Sequence, residues 1–298
     1  MASARPGSRV VLITGCSSGI GRATAERLAH SGHTVFATAR DVSTLEDLGS
    51  RGCDVLALDV TSEPSMREAV AVVEAAHGAV DVLVNNAGYG LHGAAEEADL
   101  DEVRRQFETN VFGLARLTQL VLPGMRRQGW GRIVNVSSMG GRLTFPGGAF
   151  YHASKHAVEA FSDALRFEVR PFGIDVIVIE PGLVKTRFGQ TAVETVVDSA
   201  AGTEAATAGP YDAFNANLMG TIHAAYSGPM ARLGVGPDRV ARAIERAISA
   251  GRPRTRYVVP ATVRGLLLLR RFLPDRAFDA ILRTSYRPPS PEQPPRDS

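Results

Sequence analysis

Cysteine is scarce in this sequence: Cys16 and Cys53 are the only two among 298 residues. Two cysteines are too few for the disulfide framework of a small secreted protein or for a cysteine-based metal cluster. The stretch before residue 9 also lacks the apolar core of a signal peptide. The expected location is therefore the reducing cytoplasm.

Long hydrophobic runs and a strong charge imbalance are missing as well. The longest apolar candidate, 266–269, is bounded by arginines and falls far short of the ~18 residues that cross a bilayer. The formal net charge of +2 is too small to indicate nucleic-acid binding. Hydrophobic residues make up 44% of the chain, which is enough for one sizeable core. These properties predict a single globular domain with neither a membrane span nor a nucleic-acid partner.

What the sequence does contain is a regular alternation of strand and helix patterns, which predicts an α/β fold with a doubly wound parallel sheet. Short runs of branched apolar residues mark the strands. The expected strands are 9–14, 34–38, 54–58, 81–84, 132–136, 174–179 and 256–259. The expected helices are 62–77, 99–122, 151–170 and 238–249, and a capping box from Ser43 to Glu46 predicts a further short helix.

The chain also divides by composition. We expect a flexible N-terminus (1–8), a main domain (9–260), a C-terminal helical extension (261–284) and a proline-rich, disordered tail (285–298). Residues 190–233 have weak periodicity and many alanines, glycines and threonines. This pattern indicates a mobile lid that covers the substrate site. A surface insertion is the alternative.

Two residues spaced by four, Tyr151 and Lys155, indicate proton-transfer chemistry. On a helix this spacing puts both side chains on one face, where an ammonium group can stabilise a phenolate and lower the pKa of the tyrosine. Ser138 precedes Tyr151 by thirteen residues and offers a hydroxyl that can hydrogen-bond a substrate oxygen as its charge changes. The three residues form a candidate catalytic set.

A glycine-rich turn follows the first predicted strand. Its spacing, Gly15-x-x-x-Gly19-x-Gly21, differs from the GxGxxG fingerprint of dinucleotide sites. Glycines after a buried strand nevertheless let the backbone approach a pyrophosphate, and the next helix directs its positive N-terminus at that anion. We therefore expect a dinucleotide site here, with a plain tight turn as the alternative.

Taken together, these motifs resemble those of the short-chain dehydrogenase/reductase family. The matching phrases keep the family's order and spacing within residues 9–260: Thr14-Gly15-x-x-x-Gly19-x-Gly21, Asn85-Asn86-Ala87-Gly88, Asn110, Ser138, Tyr151-x-x-x-Lys155 and Pro181-Gly182. The resemblance implies a single-domain Rossmann fold and an NAD(P)-dependent oxidoreductase that interconverts alcohols and carbonyls. The phrases that begin at Thr14 and Asn86 are most similar to hydroxysteroid and retinol dehydrogenases, which implies a hydrophobic, steroid-, retinoid- or lipid-like substrate.

The resemblance also implies roles for the matched residues. Tyr151 exchanges a proton with the substrate oxygen, Ser138 steadies that oxygen, and Lys155 also holds the nicotinamide ribose. Asn110 positions a water that relays protons, with a helix-bending structural asparagine as the alternative. The expected cofactor contacts are Gly15, Ser17, Ser18, Gly19, Ile20, Gly21, Arg40, Asp59, Val60, Asn86, Ala87, Gly88, Tyr151, Lys155, Pro181, Gly182, Val184 and Thr186.

The end of the second predicted strand indicates which cofactor binds. Ala39 stands where the family usually has an acidic residue, and Arg40 follows it. A guanidinium forms paired hydrogen bonds to phosphate, so Arg40, helped by the Ser18 hydroxyl, favours NADP(H). Asp41 either starts the next helix or pairs with Arg40 and weakens this preference, which leaves NAD(H) as the alternative.

Apolar side chains near these motifs predict a hydrophobic substrate pocket. The candidates are Tyr89, Leu91, His92, Leu143, Phe145 and Phe188. His92 follows the carboxyl end of a strand, where ligands bind in such sheets, although an exposed loop histidine fits equally well. His152 and His156 share the spacing of a zinc-binding helix, but no third ligand is evident and no metal is expected.

Several alternatives stay open at this point. A non-catalytic dinucleotide-sensing or partner-binding module and a sugar-nucleotide epimerase compete with the oxidoreductase, although the complete catalytic set and the glycine spacing disfavour both. Helix 151–170 is apolar around much of its circumference, and the resemblance implies that it pairs with its copy in a homodimer or homotetramer. Residues 263–283 combine apolar side chains with five arginines, which fits either packed helices or a peripheral anchor on an anionic membrane.

Overall fold

A computed structural model describes residues 8–188, 209–227, 234–286 and 288–289. Its centre is a seven-stranded sheet in the order β3-β2-β1-β4-β5-β6-β7, with every neighbouring pair parallel. The strands are β1 Val10–Ile13, β2 Thr34–Ala39, β3 Asp54–Ala57, β4 Val82–Asn85, β5 Gly131–Val136, β6 Ile174–Pro181 and β7 Arg256–Val259. This confirms the predicted doubly wound parallel sheet.

Helices cover both faces of the sheet. They are α1 Gly19–His30, α2 Glu46–Ser50, α3 Glu63–His77, α4 Leu100–Phe107, α5 Leu114–Gln128, α6 Ala149–Val169, α7 Asp212–Ser227, α8 Pro237–Ser249, α9 Val263–Phe272 and α10 Asp275–Leu282. Neighbouring residues of β1 point to opposite faces, so Ile13 packs with Leu28 of α1 and Ile244 of α8, whereas Leu12 packs with Leu117 of α5. Both faces of the strand are apolar because each is covered, as in other parallel sheets.

One helix boundary differs from the prediction at Ser43. A 3₁₀ turn, Val42–Leu45, precedes α2, and its cap is Asp41, whose Oδ1 accepts hydrogen bonds from Ser43 N at 3.0 Å and Ser43 Oγ at 2.7 Å. The predicted capping box starting at Ser43 is therefore wrong. The acidic residue two positions earlier satisfies the free amide, as an N-cap does.

The predicted helix 99–122 is also wrong in two respects. A π turn, Glu108–Gly113, separates α4 from α5, and α5 continues through Pro123 to Gln128. Pro123 is exposed and lies inside α5, so it does not end the helix. The helix instead ends at Gly129, whose φ of 69° is left-handed and suits glycine.

The C-terminal extension folds as the short helices α9 and α10. Leu267 and Phe278 are buried on a cluster with Leu143. Beyond α10, Tyr286 packs beside Phe214 and Leu218 of α7, although it falls within the segment predicted to be disordered. In the described ranges no helix combines the length and apolarity that a membrane crossing requires.

Two of the predicted segments lie largely or partly outside the described residues. Of the predicted N-terminal segment only Ser8 is described, and of the predicted lid, 190–233, the structure describes 209–227. Most of that described part is α7, where Phe214, Asn215 and Leu218 are buried.

Candidate active site

A cavity of about 480 Å³ lies at the carboxyl ends of the strands. Gly15 follows β1, Arg40 follows β2, and Asn86 follows β4 along its wall. The chain order reverses between β1 and β4, and open parallel sheets bind ligands at such a switch point. The cavity is therefore where a ligand of this fold is expected.

The glycine turn allows close approach of the backbone to this cavity. Gly15 and Gly19 have φ values of +71° and +61°, which L-residues with side chains rarely adopt. A Cβ on Gly21 would lie 2.3 Å from the Gly15 carbonyl oxygen, so α1 could not pack this closely against the turn with any larger residue. Ser18, at the N-cap of α1, makes no side-chain capping bond, so the first amides of the helix are left for an anion.

Hydrogen bonds lock the glycine turn to the end of β4. The Asn86 side-chain amide donates to Thr14 O at 2.9 Å and Gly15 O at 3.0 Å. Thr14 Oγ1 accepts from the backbone amides of Asn86 at 2.9 Å and Ala87 at 3.0 Å. The two loops that face the cavity are thus held in one fixed arrangement.

Arg40 is exposed at the rim of the cavity, next to Ala39. The Asp41 carboxylate is occupied by Ser43, whose hydrogen bonds hold the pKa of Asp41 below its usual range. This geometry matches the helix-start interpretation of Asp41. Asp59 also lines the cavity, and its carboxylate accepts from Thr61 N at 2.9 Å and Thr61 Oγ1 at 2.8 Å.

Tyr151, Ser138 and Lys155 come together at the inner wall of the cavity. A hydrogen bond joins the Tyr151 phenol to Ser138, and Ser138 Oγ also accepts from Gly140 N at 3.0 Å. Lys155 Nζ donates to Val136 O at 3.0 Å. The structure therefore brings the three predicted side chains to one place.

The electrostatics of this set differ from the prediction. Burial raises the pKa of Tyr151, and the hydrogen bond from Ser138 opposes that rise only in part. Burial also lowers the pKa of Lys155 to about 8, against the opposing charge of Glu159. The expected lowering of the tyrosine pKa by the ammonium group is not seen, because desolvation by burial is the largest effect on the pKa of both groups.

Asn110 lies in the π turn, behind the wall that contains Gly88. Its side-chain amide donates to Tyr89 O at 2.9 Å and to Ser154 Oγ at 3.1 Å, and its Oδ1 accepts from Tyr89 N at 3.1 Å. A Cβ on Gly88 would lie 2.9 Å from Asn110 Oδ1. Asn110 thereby fixes the loop after β4 to α6, a geometry that fits the structural alternative.

The remaining predicted cofactor contacts nearly all line the cavity. These are Ser17, Ser18, Gly19, Ile20, Val60, Ala87, Gly88, Pro181, Gly182, Val184 and Thr186. Gly21 does not line it and acts through packing against Gly15.

The predicted substrate residues fall into two groups. Tyr89, His92 and Phe188 line the cavity, with the rings of His92 and Phe188 centred 5.6 and 5.4 Å from the Tyr151 ring. Burial lowers the pKa of His92 to about 4, so its imidazole is neutral at physiological pH.

Three of the predicted substrate residues do not line the cavity. Leu91 is buried elsewhere, and Leu143 and Phe145 pack in the cluster beneath α9 and α10. The turn Met139–Gly141 redirects the chain after Ser138, so nearness in sequence to the catalytic serine did not mean nearness to the cavity.

Some lining residues were missed by the sequence analysis. Tyr226 of α7 lines the cavity, and burial raises its pKa to about 12. Met139, Leu183 and Arg187 also line it. Met139, Leu183 and Arg187 are close in sequence to recognised motifs and could have been inferred from that closeness, whereas Tyr226 lies in a segment without a motif.

The paired histidines of α6 are structural. His152 is buried and its Nδ1 lies 3.1 Å from Gly140 O, so the ring donates from that nitrogen. His156 Nδ1 lies 2.8 Å from His152 O. Across the residues that the structure describes, no cluster of three or more side chains could hold a metal ion.

The family-model comparison matches the short chain dehydrogenase model over residues 9–196. The chain therefore belongs to the short chain dehydrogenase family, whose members are NAD(P)-dependent oxidoreductases that act on CH–OH groups. One relative is a 3-ketodihydrosphingosine reductase of Bacteroides thetaiotaomicron, 45% identical over 60% of this chain and 65% of its own length. This chain therefore covers slightly less than two thirds of that relative's length. A second is an uncharacterized oxidoreductase, YbbO, of Escherichia coli, 36% identical over 92% of this chain and 93% of its own.

Solved structures with this fold include complexes with both nicotinamide cofactors. A serine dehydrogenase complexed with NADP+ is 28% identical, has a TM-score of 0.71 and covers 85% of this chain and 95% of its own. A short chain dehydrogenase/reductase from Burkholderia phymatum in complex with NAD is 27% identical, has a TM-score of 0.73 and covers 96% of this chain and 98% of its own.

Proposed function

We propose that this protein is an NADPH-dependent reductase, reversible as a dehydrogenase, that interconverts a carbonyl and an alcohol on a hydrophobic, lipid-like substrate. The observation that carries this proposal is the continuity of one cavity. It joins the glycine turn and Arg40 at one end to the Tyr151–Ser138 pair and the aromatic side chains at the other. A cofactor and a substrate can therefore meet beside a proton donor.

The residues present fit a dinucleotide phosphate. The turn around Gly15 has room only for backbone, and the uncapped N-terminus of α1 suits a pyrophosphate. We assign the 2′-phosphate of the adenosine ribose to Arg40, because Arg40 lines the cavity while Asp41 is held by Ser43. NAD(H) remains the alternative, because a relative with this fold was solved in complex with NAD.

The chemistry follows from the protonation states of the chain's own groups. When bound, the nicotinamide supplies the hydride. Tyr151 stays protonated at neutral pH because burial raises its pKa, and it donates that proton to the substrate oxygen. Ser138, held by Gly140, hydrogen-bonds the same oxygen as its charge develops. Lys155 lies one turn from Tyr151 and binds the nicotinamide ribose from the base of the cavity.

A hydrophobic substrate is favoured by the other end of the cavity. Tyr89, Phe188 and Tyr226 present aromatic surface there, and Met139 adds a flexible apolar side chain. The name of one relative, a 3-ketodihydrosphingosine reductase, fits a long-chain ketone. Because α7 contributes Tyr226, we propose that the segment 190–233 acts as the substrate lid.

Absorbance of the nicotinamide at 340 nm tests the proposal directly. The purified protein should oxidise NADPH with long-chain ketones, retinoids or ketosteroids, and faster than it oxidises NADH. Loss of absorbance without an alcohol product would contradict the assignment. Tight NADPH binding without turnover on any of these carbonyls would favour the non-catalytic dinucleotide-binding module instead.

A homodimer through α6 is a second part of the proposal. Ala153, Ala160 and Phe167 are exposed along one side of this helix, and the opposite side is buried on the sheet. Phe112 and Phe172 add exposed aromatic surface next to it. Large apolar surface of this kind indicates a contact with another chain. Light scattering should give a dimer or tetramer for the native chain and a smaller mass for Ala160→Arg; a native monomer at micromolar concentration would exclude the contact.

A further inference from the structure

Helix α9 is apolar on two opposite sides. On the inner side, Leu267 is buried against Leu143 and Phe278. On the outer side, Leu268, Leu269 and Phe272 are 55%, 45% and 77% exposed. A helix that only packs on a core needs one apolar stripe and keeps polar residues outside. Packing among the described residues therefore does not explain the outer stripe of α9.

The charges around this stripe are mainly positive, since α9, α10 and Arg283 together contain five arginines against two aspartates, Asp275 and Asp279. Arg264 and Arg271 of α9 are exposed, and α9 contains no acidic residue. Its third arginine, Arg270, is paired with Asp275 at 2.7 Å. Arg276 and Arg283, in and just after α10, add exposed positive charge. The apolar stripe and its arginines together match a bilayer, whose interior is apolar and whose surface can be anionic.

The start of α9 also borders the candidate active site. A Cβ on Gly182, which lines the cavity, would lie 2.6 Å from Val263 Cγ2 at the first residue of α9. Met139 lines the same cavity and packs against the cluster that holds Leu267. A surface that binds α9 would thus be close to the site of chemistry.

We propose that the outer face of α9 is a binding site for anionic bilayer surfaces. The helix has ten residues and is about 15 Å long, too short to cross a bilayer, so it lies in the interface plane. Leu268, Leu269 and Phe272 enter the acyl region, and Arg264 and Arg271 contact lipid phosphates. A lipid substrate held in the same bilayer would then be presented beside the cavity.

A second copy of the chain is a poorer occupant of this face. Two α9 helices packed by their outer stripes would bring Arg264 and Arg271 of both copies together, and α9 offers no carboxylate to neutralise them. Like charges in a desolvated contact are destabilising, whereas anionic lipids neutralise each arginine.

Vesicle sedimentation of the full chain, without cofactor or substrate, tests the proposal independently of any catalytic activity. The protein should sediment at low salt with vesicles of phosphatidylcholine mixed with phosphatidylglycerol, and added sodium chloride should release it. Vesicles of phosphatidylcholine alone should bind much less. No sedimentation with the anionic vesicles at low salt would overturn the proposal.

Matched variants locate the binding face. Leu268→Ser and Phe272→Ser should each lower the partition coefficient by about tenfold or more, because each removes a large inserted side chain. Leu100→Ser is the control, since Leu100 of α4 is 58% exposed and lies outside the extension. Arg271→Gln should cost about fivefold, and the exposed Arg252 changed to Gln should cost nothing measurable. Equal losses for Leu268→Ser and Leu100→Ser, or a smaller oligomer for Leu268→Ser in light scattering, would overturn the assignment of this face to lipid.

Discussion

The two ends of the cavity differ in what lines them: backbone at one end and large side chains at the other. The end that we propose for the cofactor, the cofactor end, is formed by glycines and backbone, with Gly15, Gly19 and Gly88 at points of close approach. The substrate end is formed by large side chains such as His92, Phe188 and Tyr226, which come from separate parts of the chain.

The fold therefore fixes the backbone at the cofactor end and leaves the side chains at the substrate end free to vary. A Cβ at Gly15 would lie 2.9 Å from the Ala87 backbone, so the cofactor end cannot change without moving two strands. A side chain at the substrate end can be exchanged while the sheet stays as it is. One scaffold can therefore keep a nicotinamide site and accept many substrates.

Tyr151→Phe should lower kcat by about 10²–10⁴-fold while leaving NADPH affinity almost unchanged, because only the proton donor is lost. Tyr226→Phe is the matched control at the substrate end. Both phenols line the cavity and have pKa values raised by burial, but only Tyr151 is bonded to Ser138. Steady-state kinetics should show a change in KM alone for Tyr226→Phe. Equal losses of kcat in the two variants would refute the assigned proton donor.

Arg40→Leu should weaken NADPH binding by about 10–100-fold and leave NADH almost unaffected, because a charge-assisted bond to the 2′-phosphate is lost. Arg51→Leu is the control, since Arg51 is exposed on the same half of the sheet but does not line the cavity. Fluorescence titration with both cofactors measures the ratio of the two dissociation constants. A parallel loss for NADH and NADPH would show that Arg40 does not read this phosphate.

Gly21→Ala should lower the free energy of unfolding by about 1–3 kcal/mol, because the added Cβ would overpack the turn. The atom it meets is the Gly15 carbonyl oxygen, at 2.3 Å. Gly49→Ala in α2 is the opposite case, since a Cβ there meets nothing within 4 Å and should stabilise by about 0.4–1 kcal/mol. Urea denaturation followed by circular dichroism compares them. A neutral Gly21→Ala would mean that the cofactor end is more tolerant than its geometry indicates.

Glu159→Gln should produce the smallest effect, a shift of the alkaline limb of kcat/KM by less than about one pH unit. Lys155 is protonated below its pKa of about 8, and the Glu159 charge raises that pKa. Removing the charge lets Lys155 lose its proton at lower pH, so the limb should move to lower pH. Asp163→Asn is the control, because Asp163 and Glu159 both pair with Arg256 but only Glu159 acts on Lys155. Identical pH profiles for the two variants would contradict this role of Glu159.

Sequence reasoning located residues of the candidate site where the signal is local. The glycine turn after β1, Arg40 at the end of β2 and the Tyr151–Lys155 pair each depend on a few adjacent residues, and the structure brings them to one cavity. The sheet was equally accessible because each buried strand reads as a short apolar run. Periodicity and spacing report such features directly.

Sequence reasoning failed where contacts between residues far apart in the sequence determine the position of a side chain. Leu143 follows Ser138 closely in sequence but is turned towards Leu267 and Phe278, about 130 residues further along, and no local pattern reports that contact. Tyr226 lines the cavity from α7, and no local pattern reports where that helix packs. The raised pKa of Tyr151 was missed for the same reason, since burial depends on the whole wall and not on the spacing to Lys155.

The π turn at Glu108–Gly113 has a consequence for insertions and deletions. A π turn holds one residue more than an α-helical turn, and each added residue rotates the rest of a helix by about 100°. Val103 before the turn and Leu117 after it are both buried, and the π turn takes up the extra residue between their two helices. Deleting one residue here would tighten the π turn to an α-helical turn and pull Asn110 off the Tyr89 backbone, whereas a deletion between the turn and Leu117 would rotate Leu117 away from the sheet. In this segment chain length is therefore constrained more strictly than side-chain identity.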